Sequence, residues 1–129
     1  MADTRLRSPL GRVMGLGSAK EGVAQWWAQR LTAVALIPLL LWFVIELIGL
    51  TGAPRAAVVA WLHGPFAAIA TVLMLIAVFY HMALGLQVVI EDYVHTEWSK
   101  ITLLVLNKFA AFALAAAGIF AVLRIAFQG

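Results

Sequence analysis

Residues 64–90 run without a single formal charge, about 27 residues and so about 40 Å of α-helix, more than the hydrocarbon core of a bilayer requires. Two more apolar runs flank it, at 31–50 and 101–127. A water-soluble fold of 129 residues, 64% of them hydrophobic, has no interior large enough to hide such segments. The solvent for most of this chain is therefore lipid, where every backbone polar group must be paired internally and only helices or closed barrels are stable. The runs are continuous rather than alternating, which excludes the barrel. The expected fold is an all-α membrane protein: a tail over 1–26, then a three-helix anchor over 27–129 with spans at about 31–50, 64–90 and 101–127.

Local signals divide these spans. Pro38 interrupts the first and is expected to kink it. The stretch Thr51-Gly52-Ala53-Pro54-Arg55 is turn chemistry and ends it. Pro65 suits the first turn of the second span. The polar cluster from Glu91 to Lys100 is expected to form the loop before the third. Ala110, Ala113, Ala117, Gly118 and Ala121 on that third span allow close approach of another helix, from this chain or from a second subunit.

Basic residues set the orientation. Arg5, Arg7, Arg12, Lys20 and Arg30 precede or begin the first span, whereas the next connection holds only Arg55. The amino terminus and the Glu91–Lys100 loop are therefore expected on the cytoplasmic side, and the carboxyl terminus on the opposite side. Trp26, Trp27 and Trp98 then fall at the inner interface and Trp61 at the outer one. The tail lacks the apolar stretch and cleavage site of a signal peptide. Topology explains the net charge of +3 better than nucleic-acid binding, for which no basic stripe with interleaved aromatics exists. No cysteine is present, which excludes disulfides and iron–sulfur clusters held by this chain.

The ionisable and polar residues inside the spans are the candidates for chemistry. His81 lies about nine residues before the end of the second run, and Gly85, Val88 and Asp92 return to within about 40° of its line on a helix. A neutral imidazole beside a glycine suits a haem, because a nitrogen can ligate iron while the missing side chain admits the macrocycle edge. A histidine hydrogen-bonded to a neighbouring helix is the equal alternative. Were haem bound, its second axial ligand would come from another chain: His63 is about 27 Å away along the helix and His95 lies in the loop. Arg30 suits a haem propionate or, alternatively, lipid phosphate. Tyr93 and Asp92 suit a quinone carbonyl and its protons, or the interfacial belt alone. Lys108 and Arg124 sit about 24 Å apart and can snorkel to the two interfaces. Glu46 shares the depth of Arg124, where an ion pair or snorkelling is expected.

The stretch His81-Met82-Ala83-Leu84-Gly85-Leu86-Gln87-Val88-Val89-Ile90-Glu91-Asp92-Tyr93-Val94 resembles the signature of the succinate dehydrogenase hydrophobic membrane anchor family. Arg30-Leu31-Thr32-Ala33 is similar to the start of that family's first span, and the likeness covers about 100 residues. The resemblance implies that His81 is an axial ligand of haem b and its iron, that Arg30 approaches a propionate, and that Tyr93 and Asp92 lie at the ubiquinone site. Ala24 stands where some relatives have a histidine, so no propionate contact comes from there. The implied partners are a cytochrome b membrane subunit, an iron–sulfur subunit and a flavoprotein subunit, joined in a hetero-oligomeric helical bundle at the bacterial inner membrane. That complex passes electrons from succinate to ubiquinone; this chain does not itself oxidise succinate. The rival readings are a haem-binding anchor of another respiratory oxidoreductase and a small proton-coupled transporter using Glu46 and His81.

Overall fold

A computed structural model describes residues 9–13 and 21–128, and the described residues are helical with short connections. After a single turn, α1 (Pro9–Val13), come α2 (Glu21–Gly49), α3 (Arg55–His63), α4 (Pro65–Tyr93) and α5 (Glu97–Gln128). The basic residues Arg5, Arg7 and Lys20 lie outside the described residues. Three helices, α2, α4 and α5, are long and apolar enough to cross a membrane. Their hydroxyls obey the rule of a lipid solvent, in which each polar group finds a partner nearby. Thr71 and Thr102 each fold back on the carbonyl four residues earlier, at 2.7–2.8 Å.

Helix boundaries differ from those the apolar runs suggest. α2 begins at Glu21, inside the expected tail, and continues without interruption through Pro38. The expected loop from Glu91 to Lys100 shrinks to Val94-His95-Thr96, because α4 continues to Tyr93 and α5 starts at Glu97. Charge ends the hydrocarbon-embedded part of a helix without ending the helix, since in water polar side chains are good helix formers. The connection after α2 holds the unforeseen α3. Gly52 makes the turn before it with φ of +78°, a backbone geometry that favours glycine, and Pro65 occupies the first turn of α4 as expected.

α4 is the central helix. It packs on α2 and on α5, whereas α2 and α5 nowhere bring their Cα atoms within 8 Å of each other. The expected pairing of Glu46 on α2 with Arg124 on α5 therefore has no packed interface to support it, and snorkelling is the role left to Arg124. The buried line of α4 is Ala67, Ala70, Met74, Ala77 and Leu84, spaced three, four or seven apart as a packing seam requires. At the other seam, Ala111 is buried, and a Cβ on Gly118 would stand 3.2 Å from Leu75 Cδ1. These two small residues serve internal packing, while Ala110, Ala113, Ala117 and Ala121 lie on an exposed face of α5.

At the Gly49/Pro65 end, α3 leans on α4 and α5 and reaches α2 through its side chains. Trp61 stacks on Trp42 with ring centroids 5.9 Å apart, and Phe66 meets Trp42 edge-on at 5.6 Å. Trp61 is thus half-buried in an aromatic cluster rather than free in the interfacial belt. Aromatic pairs in these geometries contribute about 0.5–1.5 kcal/mol each beyond area burial.

Candidate functional site

His81 continues the buried line of α4: it follows Ala77 by four residues and precedes Leu84 by three. This places the imidazole on the packing seam about 18 Å from Tyr93 and about 24 Å from Pro65 along the axis. The ring is half-buried, and Nδ1 lies 3.0 Å from Thr32 Oγ1 on α2. Thr32 also sits 2.7 Å from the Ala28 carbonyl oxygen and 3.0 Å from that of Gln29. One ring nitrogen is thereby satisfied inside the chain, which meets the requirement that a polar group in lipid find a partner. The hydrogen-bonded histidine foreseen as an alternative to a ligand is present at Nδ1, and it leaves Nε2 to other chemistry.

Gly85 faces α2, and the notch it leaves is met by Gln29, whose Nε2 lies 3.7 Å from where a Cβ would stand. That is ordinary van der Waals distance, so the chain's own packing does not demand glycine here. Gln29 Oε1 is the one buried side-chain polar atom without a hydrogen-bond partner among the described residues. Gln29 thus covers the notch while one of its own polar atoms stays unpaired between α2 and α4.

Arg30 is not brought to His81. It lies about 160° around α2 from Thr32, exposed, with its guanidinium 4.0 Å from the Trp26 ring centroid. Asp92 shares the line of His81 but sits in the last turn of α4, and both it and Tyr93 are exposed. Gln87, in the same stretch, donates to Glu91 Oε1 at 2.9 Å. Sequence reading missed three polar residues that shape the site: Thr32 as the partner of His81, Gln29 as the cover of Gly85, and Asn107. Asn107 Nδ2 donates to the Ala83 carbonyl at 2.8 Å and so clamps α5 to α4 beside the histidine.

A concavity of about 810 Å³ lies between α4 and α5 and is lined by Tyr80, Leu84, Gln87, Lys108, Phe112 and Ala115. Neither His81 nor Tyr93 lines it. No group of three or more potential metal-ligating side chains exists among the described residues; a shared haem needs only one imidazole from each chain. The donor set on α4 fits that requirement: a single imidazole on the seam, tethered at one nitrogen, with a glycine one turn away.

A central helix flanked by two others, with one intramembrane histidine on its packing seam, defines a small multi-pass helical membrane protein. Residues 4–115 match the family model for succinate dehydrogenase/fumarate reductase transmembrane subunits. The chain is 31% identical to the succinate dehydrogenase hydrophobic membrane anchor subunit of Paracoccus denitrificans over 120 residues, 93% of this chain and 92% of that protein. It is likewise 31% identical to the subunit of that name from Rickettsia bellii over 102 residues, 79% and 82% of the two chains. No solved structure matches it. The chain belongs to the family of succinate dehydrogenase/fumarate reductase transmembrane subunits. Within that family its role is that of a multi-pass membrane anchor subunit of succinate dehydrogenase.

Proposed function

We propose that this anchor lies in the bacterial inner membrane with its amino terminus cytoplasmic, and that it shares a b-type haem and a ubiquinone site with a cytochrome b subunit. The observation that carries this reading is the tethered imidazole: Nδ1 of His81 is held by Thr32, so Nε2 is the nitrogen for iron. A second axial ligand would come from the cytochrome b subunit, because His63 ends α3, about 27 Å from His81 along the axis, and His95 lies beyond the other end of α4. Bound there, the haem supplies a one-electron iron couple within the membrane. Arg30, exposed at the head of the apolar part of α2, holds a propionate by exchanging its aromatic contact with Trp26 for a charge-assisted pair.

Tyr93 is 77% exposed and makes no side-chain hydrogen bond to another helix among the described residues, so the quinone pocket is built between subunits. Its hydroxyl donates to a quinone carbonyl, and Asp92 beside it moves protons as the quinone is reduced. The flavoprotein and iron–sulfur subunits dock at this cytoplasmic end. A proton-coupled transporter is the weaker alternative, since Glu46 lies about 21 Å along α2 from Thr32, the partner of His81.

The test is the His81→Ala variant in the purified complex. The expected result is loss or displacement of the dithionite-reduced b-type optical band while flavin-containing subunits still copurify. An unaltered band overturns the ligand assignment, and absence of any flavin-containing companion from the native preparation overturns the anchor reading as a whole.

A further inference from the structure

Thr32 Oγ1 has three polar neighbours: the Ala28 oxygen at 2.7 Å, the Gln29 oxygen at 3.0 Å and His81 Nδ1 at 3.0 Å. A hydroxyl carries one proton, and carbonyl oxygens can only accept. Thr71 and Thr102 both give their proton to the carbonyl four residues back, as threonines in apolar helices do. The same donation by Thr32 to Ala28 is the shortest of its three contacts. The oxygen then turns a lone pair toward His81, and the remaining contact is satisfied by Nδ1–H donating to Thr32 Oγ1. Were Nδ1 bare, two lone pairs would face each other at 3.0 Å.

We propose that Thr32 is a positioning residue that holds His81 as the Nδ1–H tautomer, with its ring plane fixed against α2 and its Nε2 lone pair committed to ligation. The proposal rests on the reading of His81 as the haem ligand and adds to it the element that prepares the ligand. The tautomer bearing its lone pair on Nδ1 would present an N–H to iron; the bond from α2 selects against it. A hydroxyl that already donates is also a better acceptor. The Nδ1–H bond therefore makes the imidazole more basic, which favours the ferric state and lowers the reduction potential. α2 thus tunes a ligand that it does not carry.

The experiment compares the purified complex with Thr32→Val, Thr32→Ala and Thr32→Ser, reading haem retained per flavin, the midpoint potential of the b-type band and the low-spin ferric resonance signal. Valine keeps the shape and removes the hydroxyl. It should raise the midpoint potential, shift the resonance signal and weaken haem retention about tenfold or more, with alanine acting the same way. Serine should behave as the native chain in all three. Native potential and signal in the valine or alanine variant, with the band lost in His81→Ala, overturns the role of Thr32 and leaves the ligand assignment standing. A native band in His81→Ala overturns the ligand reading itself. A displaced potential in the serine variant overturns the role of Thr32 even where the other two variants fail to assemble.

Discussion

At position 85 the needs of the chain and those of a bound macrocycle separate. A methyl group there would meet only the Gln29 amide, at 3.7 Å, and alanine in a helix interior is about 1 kcal/mol more favourable than glycine. Gly85→Ala is therefore expected to leave the amount of membrane-inserted anchor unchanged or slightly raised. If the notch serves a porphyrin edge, the same substitution lowers haem per flavin in the purified complex, and a native ratio would deny the notch that role. His81 and Gly85 were legible in the sequence because a polar ring amid uncharged residues has to be explained by some partner. Thr32 and Gln29 were not. Their function depends on which helix lies opposite, and a threonine satisfying its own carbonyl looks the same whether or not a histidine waits behind it.

The pairing of α4 with α5 turns on Gly118, where a Cβ would come to 3.2 Å from Leu75 Cδ1. Alanine asks only a small rotation of a flexible leucine end, and its helix propensity offsets that cost. A leucine cannot be housed without moving α5, and overpacking of this kind costs about 1–3 kcal/mol. Gly118→Leu should accordingly lower the thermal midpoint of the detergent-solubilised complex, and adding Leu75→Ala should restore much of the loss. A double variant no more stable than Gly118→Leu alone would place the strain elsewhere. Hydropathy made these long helices plain, but it reports immersion in lipid rather than hydrogen bonding. It consequently cut α4 and α5 short at the charged residues of Glu91–Lys100. It also passed over α3, whose nine residues are too few to show a period and too short to span. The Trp42–Trp61 stack that ties α3 to α2 joins residues far apart in sequence, and only the packed fold brings them together.

As a whole the chain encloses one helix in part and leaves two largely bare. Within their most apolar stretches α4 is 28% buried, α5 6% and α2 0%. Lipid covers such faces without penalty, so apolar exposure alone does not require a partner. The polar atom left unpaired is the better pointer: Gln29 Oε1 is buried in the seam without a hydrogen-bond partner among the described residues, while Tyr93 at the helix end is exposed. Both lie toward the end that carries Arg30, which the proposed orientation, resting on the five basic residues at or before the head of the first span, turns toward the cytoplasm. The chain contains no cysteine, so single cysteines at Thr51 and Thr96, exposed positions in opposite connections, report the orientation directly. In intact spheroplasts, a membrane-impermeant maleimide should modify Thr51→Cys, while Thr96→Cys should react only after the membrane is dissolved and the subunits are unfolded. The reverse pattern would put the Tyr93 end outside. A quinone site there could not receive electrons from cytoplasmic subunits, however well His81 bound haem.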